Sequence, residues 1–136
     1  MFHAFALQGP GDSGKSATLL KLFDKLTSKY PKATVKHIHQ SENNISVIMS
    51  GVNGYVVGIE SRGEPGSRLI NSLNVFVAAK CDIIFCSCRT KGMTVKWVKT
   101  LPLQYKVHFI EKNRVKTRFA VTNASAATSL MKQAGI

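Results

Sequence analysis

"GPGDSGKS", residues 9–16, stands between the apolar run "HAFALQG" (residues 3–9) and "ATLLKLF" (residues 17–23). A short apolar run that ends in glycine has the pattern of a buried strand. Past the loop, Leu19, Leu22, Phe23 and Leu26 recur at three- and four-residue spacing, while Lys21, Asp24, Lys25 and Lys29 fall on the opposite side. That pattern predicts an amphipathic helix stopped near Pro31. Strand, glycine-rich loop and helix therefore follow one another within about thirty residues, an arrangement suited to holding an anion. Glycines let successive backbone N–H groups turn inward as a nest, and the helix adds the positive end of its dipole.

The remaining segments extend an α/β pattern. "ATVKHIH" (residues 33–39) reads as a strand, and "ISVIMSGV" (45–52) and "YVVGIES" (55–61) as two more, joined through Asn53-Gly54. Both of those residues tolerate positive φ, which makes them a strong tight-hairpin signal. After "GEPGS", Leu69, Leu73, Phe76 and Val77 mark a helix to about Lys80, and "DIIFCSC" (82–88) reads as a strand buried on both faces. "MTVKWVKTL" predicts a short helix ending before Pro102. "KVHFIEK" and "RFAVTN" alternate like strands, and "ASAATSLMKQAG" predicts a final helix capped by Asn123 or Ser125 and stopped by Gly135. The expected fold is one α/β domain over residues 1–136: a three-layer sandwich with a mostly parallel central sheet and one antiparallel hairpin.

Charge and cysteine usage narrow the function. The formal net charge is +12, and nine basic residues (Arg89, Lys91, Lys96, Lys99, Lys106, Lys112, Arg114, Lys116 and Arg118) are opposed in that stretch only by Glu111. Such a field attracts polyanions, with nucleic acid as the candidate partner. Trp97, between Lys96 and Lys99, is either an exposed platform for unpaired bases or a core residue. Cys81, Cys86 and Cys88 are an odd set in an apolar strand, which favours reduced, buried thiols over a disulfide or zinc framework. His37 and His39 read as a partly exposed strand face rather than a metal site. No run approaches the ~20 apolar residues of a membrane span, and the first residues lack a signal-peptide pattern, so a cytoplasmic location is expected.

Gly9, Gly14, Lys15 and Ser16 satisfy GxxxxGK[ST], and with a strand before and a helix after, the segment resembles the phosphate loop of the P-loop nucleoside triphosphate hydrolase superfamily. The resemblance implies a nucleoside triphosphate bound by Gly9, Gly11, Asp12, Ser13, Gly14, Lys15, Ser16 and Ala17. Lys15 would reach the β- and γ-phosphates, and the Ser16 hydroxyl would ligate Mg²⁺. "ESRG" (Glu60–Gly63) looks like the Asp-x-x-Gly motif of GTPase-like members with glutamate substituted, which offers Glu60 for metal or water and the Gly63 N–H for the γ-phosphate. Glu64 is the alternative carboxylate. Asp82 is disfavoured because it begins its strand, at the end away from the phosphates.

Arg89, following "DIIFCSC", is a candidate to stabilise transferred charge, in competition with Arg62, Arg68 and Lys91. No Asn-Lys-x-Asp guanine motif is present, so ATP with Mg²⁺ is the expected ligand pair. The expected activity is ATP hydrolysis. The alternatives are a small nucleotide or metabolite kinase and a non-catalytic nucleotide-binding module, because fold-level resemblance does not choose among them.

Overall fold

The computed structural model describes residues 2–9, 14–40, 44–63, 67–111 and 119–136, with backbone alone at Gln40 and at 119–123. The elements run β1 (Phe2–Gln8), α1 (Lys15–Lys29), β2 (Thr34–Gln40), β3 (Ile45–Val52), β4 (Tyr55–Glu60), α2 (Leu69–Ala78), β5 (Ile83–Cys88), α3 (Met93–Lys99), β6 (Tyr105–Glu111) and α4 (Phe119–Ala134). They build one six-stranded sheet of order β2-β3-β4-β5-β1-β6.

The sheet is mixed. β4, β5, β1 and β6 pair in parallel, whereas β3 is antiparallel to both β2 and β4. A mostly parallel sheet with one antiparallel hairpin is therefore corrected to a parallel half fused to a three-stranded antiparallel meander. The second antiparallel pairing is that of β2 with β3, beside the pairing of β3 with β4 that the Asn53-Gly54 turn closes. Asn53 and Gly54 have φ of 52° and 83°, the positive pair that a tight hairpin turn requires.

Alternation along each strand divides the core in two. Phe5 and Leu7 of β1, Val57 and Ile59 of β4 and Ile83 and Phe85 of β5 pack with Leu19, Leu22 and Leu26 of α1 and Ala127 and Leu130 of α4. The intervening residues, Ala4, Ala6, Ile84, Cys86 and Cys88, pack with Leu69, Leu73 and Phe76 of α2 and Val98 of α3. Gly58 belongs to this second face, where a Cβ would come within 2.7 Å of the Phe76 ring, so its missing side chain lets α2 sit directly on β4. Trp97 is half-buried against the same core, which favours the core alternative over a base-stacking platform.

One predicted strand is overturned. Helix α4 already begins at Phe119, so "RFAVTN" is not a strand, and Asn123 and Ser125 lie inside the helix rather than capping it. The alanine-rich turns that dock on α1 propagate helix backwards through residues of only moderate helix propensity, since adding a turn to an existing helix avoids the cost of nucleation. Gly135, at φ 76°, ends it as expected. Among the described residues no helix is long and apolar enough to cross a membrane.

Candidate functional site

The topology selects one end of the sheet. β1 leads through α1 to the β2–β4 side, and β5 leads through α3 to β6 on the other side. β1 and β5 are neighbours whose outgoing connections diverge, and open α/β sheets take ligands in the crevice beyond the carboxyl ends of such a pair. Here those ends are tied together: the Gly9 N–H donates to the Cys88 carbonyl at 3.2 Å, and Gln8 Nε2 donates to the Thr90 carbonyl at 3.3 Å.

The sequence motif falls at that crevice. Gly14 precedes α1 in the left-handed conformation (φ 87°, ψ 13°), which glycine adopts without steric cost, and Lys15 is the first residue of the helix. Lys15 is buried, and its ammonium folds back across the loop to donate to the Gly9 carbonyl at 2.5 Å. Its charge is felt by Cys88, whose thiol is pushed up to about 11 by burial, with Lys15 acting in the opposite direction. Ala17 is exposed on the first turn of α1. Gly11, Asp12 and Ser13 lie outside the described residues, as does Glu64.

Ser16 enters a network that the motif does not announce. Its Oγ donates to Asn44 Oδ1 at 2.8 Å, and the Ser61 Oγ donates to the same oxygen at 3.2 Å. Ser61 is fully buried: its Oγ accepts the Ile45 N–H at 2.9 Å, and its carbonyl accepts the Ser87 hydroxyl at 3.0 Å. Gly63 closes the group. A Cβ there would lie 1.9 Å from the Ser87 carbonyl oxygen, so only glycine lets this backbone rest on the end of β5. The start of α1, the start of β3, the segment after β4 and the end of β5 thus meet through Ser16, Asn44, Ser61, Gly63 and Ser87.

Glu60 sits apart from the loop in two respects. β5 lies between β4 and β1, an offset of about 10 Å across two strand spacings. Its side chain also projects to the α2 face, where Oε1 accepts the Ser72 hydroxyl at 2.6 Å and Oε2 accepts the Arg62 N–H at 3.2 Å. Ser72 Oγ is in turn 3.0 Å from Ser46 Oγ. Glu60 is 2% exposed, and it borders a cavity of about 40 Å³ with His39, Asn44, Arg62 and Arg68. That volume admits a water molecule, and the lining is polar enough to hold one. Burial pushes the Cys86 thiol well above its ordinary range, with Cys88 and Glu60 adding to the effect.

Arg89 lies just past β5, where its backbone N–H is fixed by Thr94 Oγ1 at 2.9 Å, and its Nε is buried with no hydrogen-bond partner among the described residues. Asp82 is structural, as its position at the start of β5 suggests: Oδ2 accepts the Val56 N–H at 2.8 Å, at the far end of the sheet. Cys81, Cys86 and Cys88 are free and buried. Among the described residues no three His, Cys, Asp or Glu side chains gather as a cation cage.

A nucleotide phosphate and Mg²⁺ fit these donors. The Lys15 ammonium and the start of α1 are cationic or donor groups at one crevice, and Arg89, whose buried Nε is unsatisfied among the described residues, follows β5 at the same end of the sheet. Ser16 Oγ, having donated its proton to Asn44, keeps lone pairs for a cation. Mg²⁺ bound with a nucleotide takes most of its ligands from phosphate and water, so no side-chain cage is required. Arg62 and Arg68 border the Glu60 cavity, and Lys91 is exposed beyond Arg89. Comparison with known proteins returned no matching family model, curated protein or solved structure.

Proposed function

We propose that this chain binds ATP with Mg²⁺ at the loop preceding α1 and hydrolyses it. The observation that carries the reading is the placement of Lys15: first residue of α1, directly after a left-handed glycine, at the carboxyl end of the strand where the connections diverge. Lys15 would exchange the Gly9 carbonyl for phosphate oxygens. Mg²⁺, held with Ser16, would supply charge neutralisation on the β- and γ-phosphates. Gly63, resting on Ser87, offers backbone to the γ-phosphate side, and Arg89 offers Nε to charge that develops on the transferred group. Glu60, two strand spacings from the loop, would reach an attacking water only by way of the polar cavity it shares with Asn44, whose side chain also bonds Ser16.

Glu60→Gln keeps the shape and removes the charge. Phosphate release should fall about 10²-fold or more while ATP affinity stays within about threefold. Equal turnover in the variant would leave the hydrolytic role without its base. ATP-dependent phosphorylation of a small acceptor, without phosphate release, would establish the kinase alternative instead.

A polyanion partner is proposed from charge. Lys21, Lys25 and Lys29 recur every fourth residue along α1 and line, with Asp24, Ser28 and Ala124, a groove between α1 and α4. Lys112, Arg114, Lys116 and Arg118, part of the basic stretch read from sequence, lie outside the described residues. If nucleic acid binds, log affinity should fall linearly with log salt, with a slope of about −0.9 per phosphate contact on duplex DNA or about −0.7 on single strands. An oligonucleotide titration at two salt concentrations measures it, and no binding at low salt would remove this partner.

A further inference from the structure

We infer that Asn44 is a positioning residue for the cation bound with the nucleotide: it orients the Ser16 hydroxyl toward Mg²⁺ and joins that hydroxyl to the segment after β4. The inference rests on the proposed nucleotide site. It starts from hydrogen-bond accounting at one oxygen. Asn44 Oδ1 accepts from both Ser16 Oγ and Ser61 Oγ, at 2.8 and 3.2 Å. A hydroxyl has one proton and two lone pairs. With its proton committed to Asn44, Ser16 can present only lone pairs elsewhere, which is what a hard cation requires of a hydroxyl ligand. Without Asn44 the same hydroxyl loses the acceptor that fixes its proton, and its rotor is free to turn. Outer partners of this kind fix the orientation of metal ligands in general.

The second half of the inference follows from Ser61. Its hydroxyl donates to Asn44 and accepts the Ile45 N–H, and its own N–H donates to the Ile45 carbonyl at 3.0 Å, so it is clamped to the start of β3. Two residues on, Gly63 rests on Ser87 with no room for a side chain. A shift of Ser16 on cation binding is therefore passed through one amide oxygen to the backbone proposed to meet the γ-phosphate. The sequence separations of the two contacts, 28 and 17 residues, place this link beyond any local motif.

The test separates cation binding from nucleotide binding. ATP affinity is measured by calorimetry with Mg²⁺ and again with EDTA, for the wild type, Asn44→Ala and Asn44→Asp. The expected result is a wild-type Mg²⁺ enhancement that Asn44→Ala reduces about 10- to 100-fold, with affinity in EDTA unchanged. Asn44→Asp keeps the acceptor and should restore the enhancement or exceed it. An undiminished enhancement in Asn44→Ala overturns the inference while leaving the nucleotide site standing. Absence of ATP binding by the wild type overturns the site itself, and the inference with it. If Asn44→Ala does not fold, Asn44→Asp decides: a Mg²⁺ enhancement equal to or above wild type supports the acceptor role, and a lost one contradicts it.

Discussion

The two faces of the sheet are built from different chemistry. Toward α1 and α4 the core cluster is apolar (Phe5, Leu7, Leu22, Leu26, Val47, Met49, Ile59 and Phe85), and the buried polar residues of α1, Lys15 and Thr18, are confined to its first turn. Toward α2 and α3 the buried set includes Glu60, Ser46, Ser72 and Thr94, together with the three thiols. Burying polar groups costs stability unless each is hydrogen-bonded, and here Glu60, Ser72 and Ser46 satisfy one another in a row. The apolar face supplies cohesion. The other face carries the buried carboxylate, Glu60, at the carboxyl end of β4, while Lys15 and Ser16 stand at the start of α1 on the apolar side.

The largest expected effect belongs to the apolar face. Phe85 is fully buried there and stacks on Phe5 with ring centroids 5.5 Å apart. Phe85→Ala should cost about 3 to 5 kcal/mol of stability, read from denaturant melts. A loss below about 1 kcal/mol would mean that this face is not what holds the sheet to α1 and α4.

Two glycines sharpen the contrast with smaller effects. At Gly58 a Cβ meets the Phe76 ring, and at Gly63 it meets the backbone of Ser87. Gly58→Ala should cost about 1 to 3 kcal/mol through overpacking and leave ATP affinity in the folded protein unchanged. Gly63→Ala cannot be accommodated by a side-chain rotation, because its neighbour is main chain. Its effect should fall on phosphate release as well as stability. If the two variants behave alike in turnover, the segment after β4 has no special part in the site.

Helix α1, the Asn53-Gly54 hairpin, α2, β5 and α3 carry strong local signals, and spacing or turn chemistry alone predicts each. At the Phe119 end of α4 the alternating Phe119 and Val121 imitate a strand in sequence, while the helix is set by docking further along. The site was half legible. Glycine, lysine and serine at fixed offsets carry the resemblance to a phosphate loop, but Asn44, Ser61 and Ser87 are ordinary polar residues until the chain brings them together. No pattern within "SENN" or "SCRT" distinguishes Asn44 or Ser87, and "ESRG" draws attention to Glu60 and Gly63 rather than to Ser61. Strand order was equally hidden: nothing local places β5 between β4 and β1, and that placement is what separates Glu60 from the loop.

The most direct test is the affinity of ATP for Lys15→Ala. Lys15 donates to the Gly9 carbonyl and belongs to neither apolar cluster, so the variant should fold. Titration calorimetry with Mg²⁺ should show binding weakened by about 1.5 to 3 kcal/mol, the worth of a charge-assisted contact to phosphate. An ATP affinity equal to wild type in the folded variant would contradict the account.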